Sequence, residues 1–102
     1  MGRPLLLSEE ALNEAVKLLG EPWAVERNQL RATFPTKSYA AGLALIAGAG
    51  AIAEELDHHP TLTLDYGCVA VAITTHDAGG LTNLDVAYAT AFNELYASSK
   101  FR

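Results

Sequence analysis

Three histidines are the side chains here whose ordinary pKa, near 6.5, lies close to neutrality. Their spacing suggests proton transfer. Glu54 and His58 are four residues apart, so both can lie on one face of a helix near its C-terminus. A neighbouring carboxylate and the negative end of the helix dipole both favour a positively charged ring there. His59-Pro60 ends that helix, because the residue before a proline is pushed out of the α region. His76 falls in the polar run Thr74-Thr75-His76-Asp77, just beyond a strand, where polar side chains more often mark a site than a core.

Other chemistries compete for the same residues. The plainest alternative is a set of exposed histidines at element ends, with His58 only neutralising a helix terminus. Glu54, His58 and His76 could supply three zinc ligands with an open fourth position. Adjacent His58 and His59, however, cannot both point at one metal from a regular helix, and no H-E-x-x-H pattern occurs. No metal is therefore expected. No serine sits in an elbow-like turn, and the single cysteine, Cys68, follows a hairpin glycine with nothing near it in sequence to activate its thiol. One cysteine also makes neither an internal disulfide nor a thiolate zinc cage.

The elements that must position these groups are legible from periodicity. Ser8 is an N-cap before Glu9 and Glu10, with Leu7 and Leu12 at staple spacing; Leu12, Ala15, Val16 and Leu19 form one apolar helical face that Gly20 and Pro22 stop. Trp23–Glu26 and Leu30–Phe34 alternate around Arg27-Asn28 and predict a hairpin with one buried face. A long helix runs from about Ser38 to Asp57. Gly42, Gly48 and Gly50 lower its helicity by roughly 1 kcal/mol each and suggest close packing. Leu62, Leu64 and Tyr66, then Val69, Val71 and Ile73, alternate as a second hairpin joined at Gly67. Residues 76–80 form a loop. Thr82 and Asp85 have capping-box spacing before a helix carrying Leu84, Tyr88, Ala91, Phe92 and Leu95. The expected fold is α+β: a four-stranded antiparallel sheet with three helices on one face, in the order α-β-β-α-β-β-α.

Length and composition bound the rest. One hundred and two residues, 50% of them hydrophobic, make one domain over 1–102 with a modest core, which oligomerisation would help to complete. Seven Lys and Arg against twelve Asp and Glu give a net charge of −5, which argues against nucleic acid or an anionic membrane as partner. Met1-Gly2-Arg3-Pro4 lacks the Ser or Thr at position six that an N-acylation signal wants, and Leu5-Leu6-Leu7 is too short for a secretory core. The longest uncharged stretch, Tyr39–Ala53, falls short of the ~20 residues that span a bilayer. A cytoplasmic location is the default expectation.

Glu54-Glu55-Leu56-Asp57-His58-His59-Pro60 is followed by Tyr66 after five residues, His76 after nine more and Asp85 after eight more. With the block Thr74-Thr75-His76-Asp77-Ala78-Gly79-Gly80-Leu81-Thr82, this pattern resembles pterin-4a-carbinolamine dehydratases, whose element order also fits nearly the whole chain. The resemblance implies dehydration of a 4a-hydroxytetrahydropterin to the quinonoid dihydropterin, in tetrahydrobiopterin recycling. It implies no metal and no organic cofactor, since two histidines can act as acid and base. By that pattern His58 and His76 carry the acid–base work, and His59 binds and orients the pterin. Asp57-His58-His59 and Thr74-Thr75-His76-Asp77 match the family's two pterin-contacting segments. Glu54 would set the charge and orientation of His58, and Asp85 would serve as a helix cap. Thr61-Leu62 depart from the acidic residue and tryptophan that follow the His-His-Pro in many relatives. A homodimer or homotetramer is implied. Some relatives also act as dimerisation cofactors for a homeodomain transcription factor, and nothing in this sequence points to that partner.

Overall fold

A computed structural model of the chain describes residues 5–102; Met1–Pro4, and with them the reading of the N-terminal acylation signal, lie outside the described residues. Helix α1 spans Glu9–Leu19, capped by the Ser8 hydroxyl, which accepts from the Ala11 N–H at 3.1 Å. It ends at Gly20, whose φ of 75° suits a residue without a Cβ. Its Leu12, Val16 and Leu19 are only half-buried, and the helix packs on the last helix of the chain.

Strands β1 (Ala24–Glu26) and β2 (Gln29–Pro35) are joined by Arg27 and Asn28, both at positive φ as a two-residue hairpin of the primed type requires. After helix α2 (Tyr39–Leu56) come β3 (Thr61–Asp65) and β4 (Cys68–Ile73), a single 3-10 turn at His76–Ala78, and helix α3 (Asn83–Tyr96). The sheet order is β1-β2-β4-β3, with every pair antiparallel. The expected α+β order α-β-β-α-β-β-α is what the chain adopts.

Register decides which residues form the core. Leu30 pairs with Ile73, Ala32 with Val71 and Phe34 with Val69, so six buried side chains share one sheet face. Leu45, Ala49 and Ala53 of α2 and Tyr88, Ala89 and Phe92 of α3 complete that core. On the opposite face Arg31, Thr33, Thr61 and Thr63 are exposed. The expectation of a buried face on β1 is corrected: Ala24, Val25 and Glu26 are all exposed on a three-residue edge strand. The inward residue is Trp23 just before it, whose indole N–H donates to Asn93 Oδ1 at 2.7 Å.

Helix α2 bears out the close-packing reading of its glycines at two positions. A Cβ on Gly42 would meet Leu64 Cδ1 at 2.7 Å, and one on Gly48 would meet Leu95 Cδ2 at 2.8 Å. Gly50 faces open space. The helix is long and apolar enough, by length and composition, to cross a bilayer, yet its inner face is packed: Ala41, Gly42, Leu45, Ala49 and Ala53 are buried.

Helix α2 ends within one residue of the expected Asp57, but a left-handed cap and not the His-Pro pair stops it. Asp57 adopts the left-handed conformation (φ 50°, ψ 44°), its N–H donates to Glu54 O, and the His58 N–H reaches back to Ala53 O. These are the two bonds of a Schellman cap, with an Asp where glycine is usual. The helix therefore stops at Leu56, and His58 and His59 lie beyond it.

Candidate active site

The Schellman turn throws the His58-His59 pair away from the helix axis, toward the end of β4 and the 3-10 turn. Asp57, His58, His59, Thr74, Thr75, His76, Asp77 and Leu84 line one solvent-open pocket of about 350 Å³. That volume is within the ordinary range for small-ligand sites. Seven of these eight residues are the two segments singled out in the sequence. Glu54 is the exception: it is exposed and not part of the pocket's lining.

The partners of the histidines are exchanged relative to expectation. Glu54 does not reach His58; its Oε2 lies 2.5 Å from His59 Nε2. His58 Nε2 donates instead to Asp85 Oδ1 at 2.7 Å, across 27 residues of chain. The physical reason is the left-handed Asp57, which breaks the helical spacing that would have stacked His58 over Glu54. The two pairs also differ in surroundings. Glu54 and His59 are 78% and 55% exposed, whereas Asp85 is fully buried and His58 only 11% exposed.

Asp85 carries more than the capping role read from spacing. It closes the capping box by accepting from the Thr82 N–H at 2.8 Å, as expected of that position. The same oxygen, Oδ2, accepts from the Thr75 hydroxyl at 2.8 Å, leaving Oδ1 to His58. A carboxylate buried this completely is tolerable because three donors satisfy it. A carboxylate oxygen at that distance favours the tautomer of His58 that carries its proton on Nε2.

His76 is exposed and rides on a short turn pinned at both ends. Thr75 and Gly80 form an isolated bridge, with Thr75 N to Gly80 O at 3.1 Å. Across from them, Asn28 Nδ2 donates to Gly79 O at 2.8 Å, and the Thr74 hydroxyl donates to Asn28 O at 3.0 Å. Asn28 and Leu84 were not singled out in the sequence as site residues. Asn28 looked only like a hairpin turn, and nothing local announces that its side chain clamps a loop 51 residues away. Leu84 looked like the start of an apolar helix face, but it stands 37% exposed at the pocket.

The described residues hold no cluster of three or more His, Cys, Asp or Glu placed to bind a metal ion. The arrangement offers two histidines in different settings, one fixed by a buried carboxylate and one exposed, with a third beside them. Such a pair can take a proton from one atom of a small ligand and give one to another.

Comparison with known proteins agrees with this geometry. Residues 5–95 match the family model described as pterin 4 alpha carbinolamine dehydratase. A Chloroflexus aurantiacus protein provisionally named pterin-4-alpha-carbinolamine dehydratase is 40% identical over 73 residues, 72% of this chain and 78% of its own. A Prochlorococcus marinus protein of the same provisional name is 33% identical over 94 residues, 91% of this chain and 96% of its own. The crystal structure of a transcriptional coactivator/pterin dehydratase from Brucella melitensis superposes with a TM-score of 0.84 at 31% identity, covering 90% of this chain and 99% of that one. A pterin dehydratase-like RuBisCO assembly factor of the alpha-carboxysome shares the fold at 23% identity, with a TM-score of 0.61.

Proposed function

This chain belongs to the pterin 4 alpha carbinolamine dehydratase family, and from that premise we propose that its histidine pocket dehydrates a 4a-hydroxytetrahydropterin, the step that regenerates quinonoid dihydropterin in tetrahydrobiopterin recycling. The observation that carries the proposal is the convergence of His58, His59 and His76 on one pocket, with His58 held by a buried carboxylate. The reaction needs a base for a ring N–H and an acid for the departing hydroxyl. His58 Nδ1 takes the ring proton; the ring nitrogen's electrons form a C=N bond to C4a as the C4a–O bond breaks. His76, in its protonated form, gives its proton to the leaving oxygen, so that water departs and the two histidines have exchanged charge states. Solvent resets both rings, since the pocket is open. His59, tethered by Glu54, binds and orients the pterin, and Asp57, Thr74 and Asp77 furnish the remaining polar contacts, while the Thr75 hydroxyl is turned inward to Asp85. Leu84 supplies the pocket's aliphatic wall where Thr61-Leu62 offer no aromatic one. The chemistry requires neither a metal nor an organic cofactor.

Stopped-flow decay of a 4a-carbinolamine tests the reading. The protein should accelerate it, and His58→Ala and His76→Ala should each lose about 100-fold or more, the scale of one general acid or base. No acceleration by the unsubstituted protein overturns the proposal. The dual description of the Brucella melitensis neighbour favours a second reading, a protein-interaction module. That role would rest on the helix surfaces, and binding would survive both histidine substitutions.

A further inference from the structure

We infer that Thr82 and Thr75 form a directed hydroxyl relay that acts through Asp85 to set the tautomer of His58, which makes Thr75 a positioning residue. Thr75 is 5% exposed, and Thr82 and Asp85 are fully buried, so no bulk water competes for their hydrogen bonds. The direction of the relay follows from which groups can only donate. The Leu84 N–H donates to Thr82 Oγ1 at 3.2 Å, so that oxygen is an acceptor there. The Thr82 proton then has Thr75 Oγ1, 2.8 Å away, as its acceptor. The Thr75 proton goes on to Asp85 Oδ2, also at 2.8 Å. Reversing the middle bond would set the Thr75 and Asp85 oxygens against each other with no proton between them, and would leave the Thr82 proton without a partner. Only one polarity satisfies every group.

The end of the relay is the histidine. With Oδ2 occupied by the Thr75 hydroxyl and the Thr82 N–H, Oδ1 is left for His58 Nε2–H. Thr75 also closes the loop that bears His76: its carbonyl accepts from the N–H groups of Ala78, Gly79 and Gly80. One residue thus fixes the ring on one side of the pocket through its side chain and the turn on the other side through its backbone. Thr75 lines the pocket, but its hydroxyl proton is committed inward, to Asp85.

The kinetic part of the inference rests on the dehydratase reading, and the spectroscopic part does not. In ring-15N-labelled protein, at a pH where His58 is neutral, the native chain and Thr75→Ser should both show a protonated Nε2 and a bare Nδ1. Thr75→Val, which keeps the shape and removes the hydroxyl, should show a mixture of tautomers. In carbinolamine decay Thr75→Val should lose roughly 10- to 100-fold in kcat with KM within about twofold, and Thr75→Ser should recover most of it. An unchanged His58 tautomer in folded Thr75→Val overturns the relay, as does a rise in KM with kcat intact, which would mean that Thr75 acts by touching substrate. If Thr75→Val does not fold, Thr75→Ala is read by the same two criteria. A native chain without dehydratase activity would sink the proposed function while the tautomer measurement still decides the relay.

Discussion

Asp85–His58 and Glu54–His59 are both short carboxylate–imidazole contacts, yet their surroundings make them different devices. The Glu54–His59 pair is mostly exposed, where solvent screening leaves such a contact within about 1 kcal/mol of no effect on stability. Asp85 is fully buried and has three donors aimed at it. Asp85→Asn would turn an amide NH2 toward those donors, costing about 1–3 kcal/mol for the groups left unpaired. Glu54→Gln should therefore leave urea unfolding nearly unchanged and act on KM through His59. Asp85→Asn should lower both the unfolding free energy and kcat. Equal effects of the two substitutions on stability and on kcat would contradict this ranking.

Two turns, and not the regular elements they join, bring the histidines into one place. The Schellman cap at Asp57 ends α2 at Leu56, ahead of His59-Pro60. The β1–β2 hairpin reaches over the His76 loop by way of Asn28. Asn28→Gly separates these roles: glycine keeps the positive φ of the turn without strain and removes only the Nδ2 bond to Gly79. Stability should stay within about 1 kcal/mol, while amide exchange across residues 76–80 speeds up and carbinolamine decay slows. Unchanged exchange in that loop would show that the hairpin does not hold it.

For the whole molecule, Tyr88 ties α3 to α2 and makes stability sensitive to alkali. Its hydroxyl donates to Ala49 O at 2.8 Å, and burial pushes its pKa up to about 12. An unfolded tyrosine titrates near 10. The contribution is therefore complete below pH 10 and is lost as pH rises from 10 toward 12, on the order of 2 kcal/mol. Denaturation midpoints should fall across that window, and Tyr88→Phe should flatten the fall. We propose self-association as a second feature at this scale. Tyr39 and Leu43 leave 48% and 50% of their surface exposed on the outer side of α2. A homo-oligomer would cover them, so light scattering should report a multiple of the chain mass, and Leu43→Glu should reduce it. A monomeric native chain at micromolar concentration would rule this out.

Local physics settled much of this protein in advance. Caps at Ser8 and Thr82, alternation in β2, β3 and β4 and the apolar face of α1 are short-range properties, and the α+β order follows from them. The two segments that line the pocket were also legible, through residue types and a specific resemblance. What the sequence alone could not decide was which carboxylate holds which histidine. Helical spacing pointed Glu54 at His58, but one left-handed residue, Asp57, rotates the chain and hands Glu54 to His59. The true partner of His58 comes from α3, 27 residues on, and reaches it only because α3 packs against α2. Asp85 could be read as a cap because capping is local; its hold on His58 needed the tertiary fold, since a contact between distant segments has no signature in the spacing of either one.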